Sequence, residues 1–268
     1  MSASQSARSR QRGVATTSTT IKTTSSGVYN RDFQQHLIQN AVYPHGDGRL
    51  DGTALENPEN WNEVQQMLAR PRPSLSPSRF NDEDYEQFVR ADTGAWKEKD
   101  VSELVIPIIE GKIRNAKYRV GGISFTNLDP LTDSTLKLGN LNIYYGARPH
   151  QLSQKVRDEL SKQIIPSTQT ELPILPIFFL AVKGPDGSAA VAKRQACCDG
   201  ALGARAIQSL LSYRQDEPVS NNASTITSVN HDGTFKMYTS HVALSPSPGA
   251  RLEDHMTLVN AWCIIGNL

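Results

Sequence analysis

The chain has 268 residues, 38% of them hydrophobic, and a formal net charge of +1 at neutral pH. Its 28 basic and 27 acidic residues give neither the basic excess of a nucleic-acid-coating protein nor the acidic excess of a solvating tail. Three cysteines are too few for a disulfide framework, and the apolar run 174–182 is too short to cross a bilayer. We therefore expect an intracellular protein without a membrane partner, cytoplasmic or nuclear in preference to mitochondrial.

Two regions precede the main domain. Residues 1–27 include 13 Ser or Thr residues and no acid, which predicts a disordered arm; a transit peptide or a nuclear localisation signal is the alternative. Residues 28–79 predict a short helical region, with one helix over 31–43 and another from Asn57-Pro58 to Arg70. This region ends in the Pro/Ser-rich linker 71–79, where we place the boundary to a domain over 80–268.

The first half of that domain begins with helices. Asn81 is suited to cap a helix that contains Phe88. Asp100 with Glu103 resembles a capping box and predicts a helix over 101–112, which Pro107 should kink. Short strands are predicted at 123–125 and 142–145, followed by an amphipathic helix over 150–165.

The second half carries the strongest local signals. The continuous apolar run 174–182 is typical of a strand buried on both faces, and an Ala-rich helix is predicted over 188–213. Two β-branched segments, 223–230 and 234–242, flank His231-Asp232-Gly233, and the Asp-Gly pair between them predicts a hairpin. Segment 256–265 is a last apolar element, strand or helix. Together these elements predict an α/β (α+β) fold, with a mixed central sheet flanked by helices.

From residue 81 onward this order of elements resembles the PD-(D/E)xK nuclease superfamily, which implies a restriction-endonuclease-like αβββαβ core. In that superfamily one acid begins a strand, and a second acid stands two residues before a Lys on the next strand. Here Asn142 matches the first acid and Ala181 the second, while Lys183 matches the Lys. Gln195 matches a Gln on the following helix. Glu103, or else Glu110, matches an acid on the first helix.

The resemblance also implies that metal chemistry has been lost. The matched carboxylates would hold Mg²⁺, which prefers anionic oxygen ligands, whereas Asn142 is neutral and Ala181 has no donor. Glu103 alone would bind a metal weakly, so we expect no cofactor, the ancestral Mg²⁺ having been lost. Lys183 and Gln195 are then vestiges of the catalytic set.

Several stretches are also similar to an uncharacterised family of fungal proteins, over about residues 81–266. In such relatives we expect acids at positions 142 and 181 and a further C-terminal helix, so this chain resembles a truncated and degenerate member. The most similar stretches are Tyr85-Glu86-Gln87-Phe88-Val89, Ile143-Tyr144-Tyr145-Gly146-Ala147-Arg148-Pro149 and Asp199-Gly200-Ala201-Leu202-Gly203-Ala204-Arg205.

Three functions remain open at this point. The favoured hypothesis is a catalytically inactive nuclease-like domain that retains binding to nucleic acid or to another protein. A second is an active Mg²⁺-dependent DNA hydrolase with relocated acids, such as Glu103, Glu110 or Asp186. A third is a structural or interaction protein with fold-level similarity to nucleases. A zinc site is not expected, because Cys197, Cys198 and His231 lack zinc-ligand spacing.

Restoring both acids should restore metal affinity. At an effective dielectric constant of about 20, a carboxylate about 4 Å from a unit charge contributes roughly 4 kcal/mol before desolvation. A third of that energy changes an affinity about tenfold, so Asn142→Asp with Ala181→Glu should bind Mn²⁺ at least about tenfold more tightly. Calorimetry on both forms, with thermal denaturation as a folding control, measures this. Equal affinities would mean that positions 142 and 181 are not the old metal site.

Overall fold

The computed structural model describes residues 26–71, 76, 78–113, 115–134, 136–137, 143–215, 219–246 and 251–266. Residues 1–25 of the predicted arm, most of the Pro/Ser-rich linker and Asn142 therefore lie outside the described residues. Within the described part, no helix combines the length and apolar character needed to span a membrane.

Eight α-helical segments and nine strands make up the described fold. The helices are α1 (Phe33–Gln39), α2 (Trp61–Ala69), α3 (Asp82–Thr93), α4 (Glu98–Asp100), α5 (Ile106–Glu110), α6 (Gln154–Glu159), α7 (Ser161–Ile164) and α8 (Ala189–Leu211). The strands are β1 (Ser26–Gly27), β2 (Val42–Tyr43), β3 (Arg119–Gly121), β4 (Leu136–Lys137), β5 (Ile143–Ala147), β6 (Ile174–Lys183), β7 (Thr225–His231), β8 (Thr234–Leu244) and β9 (Leu252–Cys263).

Seven strands form one mixed sheet in the order β2-β9-β8-β7-β6-β5-β3, and β1 pairs separately with β4. Strands β3, β5 and β6 are antiparallel neighbours. The chain then crosses through α8 to β7, which runs parallel to β6. Strands β7, β8 and β9 are antiparallel, and β2 covers β9 over only two residue pairs. The predicted α/β class with a mixed sheet is confirmed; between α5 and β7 the order is α5-β3-β4-β5-α6-α7-β6-α8-β7.

Helix α8 packs on one face of this sheet because small residues line its contact. A Cβ added to Gly203 would lie 2.6 Å from Thr225 Cγ2 and 2.7 Å from the Pro176 carbonyl oxygen. A Cβ added to Gly200 would lie within 3.1 Å of the Ser240 side chain. Such contacts would force the helix away from the strands, so glycine sets the close approach of α8.

The opposite face of β6 is covered by the helices that precede the sheet. Leu180 and Val182 lie in one apolar cluster with Phe88, Val105 and Ile106. Ala181, between them, belongs instead to the cluster under α8. Strand β6 is thus buried on both faces, which confirms the interpretation of its continuous apolar sequence.

The helix predicted over 101–112 begins earlier than expected. The Asp100 carboxylate accepts the backbone N–H groups of Trp96 and Lys97, both at 3.1 Å, so it caps a helix that starts at Glu98. The predicted capping box of Asp100 with Glu103 is therefore wrong. Between α4 and α5 the backbone forms a π turn, Val101–Val105. A wider turn suits this position because Pro107 has no N–H to give to the preceding turn.

Other elements differ from the sequence predictions in their bounds. Segment 123–125 is not a strand: Phe125 packs from a loop edge-to-face against Tyr144 and Phe179. The helix predicted over 150–165 is broken into a 3₁₀ turn, α6 and α7. The helix predicted over 31–43 ends at Gln39, and Val42–Tyr43 joins the sheet instead. Through Phe33 and Val42 this segment shares the core beneath α8.

Candidate functional site

The candidate site lies where β6 ends. The Lys183 side chain is only 5% exposed, and its ammonium nitrogen Nζ donates to Glu98 Oε2 at 2.9 Å. The Glu98 side chain is 43% exposed, so the pair joins a buried cation to a carboxylate that water still reaches. An ammonium this deeply buried needs such a partner, because desolvation otherwise disfavours its charged form.

The loop after Lys183 allows this pair to form. A Cβ on Gly184 would lie 2.7 Å from the backbone nitrogen of Glu98. A Cβ on Gly187 would lie 2.8 Å from Lys183 Cβ. The two glycines therefore let the start of α4 and the loop itself close around the end of β6. In sequence they belong to the turn Gly184-Pro185-Asp186-Gly187, which leads into α8.

Ala181 stands two residues before Lys183 and is 5% exposed. It lies in the apolar cluster with Val191, Ala192 and Ala196 of α8. Alternate residues of a strand point to the same face, so position 181 directs its side chain toward the helix. At this position the chain supplies packing to α8 and no oxygen ligand.

Helix α8 contributes two further polar groups, Gln195 and Asp199, one turn apart. They are 9% and 8% exposed. Gln195 Oε1 is buried and has no hydrogen-bond partner among the described residues. Burial raises the pKa of Asp199 well above its usual range, and the nearby Lys183 ammonium only partly opposes this effect. Burial thus favours the protonated form of the Asp199 carboxyl over the carboxylate.

The three acids considered as relocated ligands lie elsewhere. Glu103 is on the exposed side of the π turn, 62% exposed, with Oε1 3.7 Å from Lys99 Nζ. Glu110 accepts Arg119 Nε at 2.9 Å and the Tyr145 hydroxyl. Asp186 is exposed in the turn before α8. Lys183 thus meets Glu98, an acid that the sequence analysis did not select, and Asn142 lies outside the described residues.

The described residues of this site do not fit a divalent metal ion. Mg²⁺ takes hard, preferably anionic oxygen ligands. Of the described groups around Lys183, Ala181 has no donor, burial disfavours the anionic form of Asp199, and Glu98 already pairs with the lysine. Across the described part of the chain, no group of three or more His, Cys, Asp or Glu side chains is placed to hold a metal.

A second buried polar cluster lies on the face of the sheet away from α8. His255 Nε2 lies 3.0 Å from Glu253 Oε2, which also accepts Arg49 Nε at 2.9 Å. His241, opposite His255, has its pKa lowered to about 4 by burial and by that neighbour. The hydrogen bonds among Arg49, Glu253 and His255 tie the segment before α2 to β9, so we assign this cluster to the fold. Its sequence signal is Glu253-Asp254-His255 near the start of β9.

The chain matches no family model, no curated protein and no solved structure. The nuclease resemblance therefore stays a prediction, to be weighed on the geometry of the site.

Removing Glu98 should destabilise the protein more than removing Glu103. Glu98→Ala leaves the Lys183 ammonium buried without its acceptor, and an unsatisfied buried group costs about 1–3 kcal/mol; the partial exposure of Glu98 places the loss near the lower value. Glu103→Ala, the matched control, removes an exposed i,i+4 pair worth roughly 0.3–0.5 kcal/mol. Urea denaturation measures both. Equal losses would contradict the assignment of Glu98 to this site.

Asp199→Asn should stabilise the protein at neutral pH. The pKa of Asp199 is raised in the folded state. The contribution of this group to the free energy of unfolding therefore falls as pH rises above the unfolded-state pKa of about 3.9. Asparagine cannot ionise, so its advantage should be small near pH 3.5 and larger at pH 7, by about 1.4 kcal/mol for each unit of the pKa rise.

Chemical denaturation at the two pH values tests this expectation. Asp186→Asn, at an exposed turn position, is the matched control and should show no such pH-dependent gain. A pH-independent difference between Asp199→Asn and the parent protein would mean that Asp199 is ionised in the fold.

Proposed function

We propose that this chain is a nuclease-like α/β domain that does not cleave nucleic acid and acts by binding it. The observation that carries the proposal is the state of Lys183. Its ammonium is buried and paired with Glu98, and the position two residues earlier, where the resemblance implies a metal-binding acid, is Ala181 packed against α8. A lysine held in this way has no metal-bound water to activate and no leaving group to stabilise.

The remaining described polar groups support the same proposal. Burial disfavours the anionic form of Asp199, and Gln195 carries no charge, so both side chains are poor ligands for a metal cation. Phosphate binding needs cations and N–H donors, and it does not need the carboxylate pair. The proposed partner is accordingly nucleic acid, with no small-molecule cofactor.

We further propose that the protein works inside the cell, in the cytoplasm or nucleus. Cys197 and Cys198 are adjacent, buried and free. Burial raises the pKa of both Cys197 and Cys198, so neither is an activated nucleophile and both serve as small apolar residues of α8. Free thiols of this kind are typical of a reducing compartment.

Two assays on the full chain test the proposal. Supercoiled plasmid and labelled single-stranded and duplex oligonucleotides are incubated with Mg²⁺ or Mn²⁺, and binding is measured by fluorescence anisotropy in EDTA. We expect binding without cleavage, and the same uncut products with Lys183→Ala. Cleavage that Lys183→Ala abolishes would establish an active hydrolase. Absence of both cleavage and binding would favour a structural or protein-interaction role.

A further inference from the structure

We propose that a groove beside the first turn of α8 binds a phosphate group, which under the proposed function belongs to a nucleic-acid strand. The groove lies between α8 and the β7–β8 hairpin and has a volume of about 250 Å³. It is distinct from the Lys183–Glu98 pair and uses none of the residues matched to the nuclease motif. Its lining includes Ala189, Ala190 and Lys193 of α8 and His231, Lys236 and Tyr238 of the hairpin.

Two lysines give the groove an excess of positive charge. Lys236 has no ion-pair or hydrogen-bond partner within the part of the chain that the structure describes. Lys193 Nζ lies 3.9 Å from Asp47 Oδ2, the anion that faces it from the loop after β2, and its side chain is 31% exposed. One carboxylate cannot neutralise both ammonium groups, so an anion between them gains attraction from each.

The first turn of α8 forms one wall of the same groove. The first N–H groups of a helix have no acceptor within the helix, and their partial charges favour an anion. In α8 the Ser188 hydroxyl accepts the N–H of Val191 at 3.4 Å, while Ala189 and Ala190 form part of the groove lining. Across the groove, the His231 ring is fixed by a 2.9 Å hydrogen bond between Nε2 and the Gly187 carbonyl oxygen.

The floor of the groove favours a nucleotide over a bare ion. Val229 and Tyr238 line it and belong to the apolar core beneath α8. A phosphate at the lysines would leave its attached sugar or base free to cover this apolar floor. Cations at the rim and apolar contact below are the combination that binds a strand through its backbone with little dependence on sequence.

The test uses Lys193→Gln/Lys236→Gln, with Lys117→Gln/Lys155→Gln as a control of equal charge change at exposed positions on other elements. For a single strand each lost phosphate contact lowers the salt slope by about 0.7, so two contacts lower it by about 1.4 and weaken binding about 25-fold at ~0.1 M salt. Anisotropy with a single-stranded oligonucleotide measures affinity and slope. The control should bind like the parent protein, and circular dichroism checks that both variants are folded.

Inorganic pyrophosphate separates the groove from the proposed function. In amide NMR spectra it should shift the Ala189 and Ala190 signals of the parent protein, and these shifts should be lost in Lys193→Gln/Lys236→Gln. Such shifts without oligonucleotide binding would overturn the proposed function and support the groove. Parent-like oligonucleotide binding by the groove variant, or no pyrophosphate shift at Ala189 and Ala190, would overturn the groove.

Discussion

The close seating of α8 on the central sheet is the constraint on which the rest of the structure depends. Gly200 and Gly203 leave no side-chain atoms between the helix backbone and strands β6, β7 and β8. This contact closes the β6–α8–β7 crossover and thereby sets where every other α8 side chain lies. Asp199 is thereby placed near Lys183 at the end of β6, while Lys193 lies on the side of the β7–β8 hairpin.

Burial on this scale changes the chemistry of the polar groups that α8 and the sheet enclose. A charge taken from water is stabilised by a partner, as Lys183 is by Glu98, whereas burial raises the pKa of Asp199 and so disfavours its charged form. The same desolvation holds His241 neutral on the other face of the sheet. The described groups at the end of β6 therefore comprise one close ion pair, Lys183 with Glu98, and an acid whose charged form is disfavoured by burial.

The parts of this fold that could be predicted from sequence are those set by local chemistry. Asp232 and Gly233 both have positive φ, 46° and 64°, and they form the predicted two-residue hairpin turn. The continuous apolar run of β6 and the Ala-rich α8 were equally clear. The candidate site was harder to predict, because the position of Glu98 depends on a helix start at which Asp100 caps the preceding backbone. The spacing of Glu103 also does not reveal that this residue lies in a π turn just before Pro107.

Within the described residues, β2 pairs with β9 only at Asp254 and His255, and the edge of β9 from there to Cys263 has no neighbouring strand. A flat edge of this length would recruit a strand from another molecule and begin an aggregate. Two features oppose that outcome. Val259 is the extra residue of a bulge between the pairs Tyr238–Leu258 and Met237–Asn260, which twists the edge. The His45 ring accepts the Leu258 N–H at 3.2 Å, so a donor that an incoming strand would need is already taken.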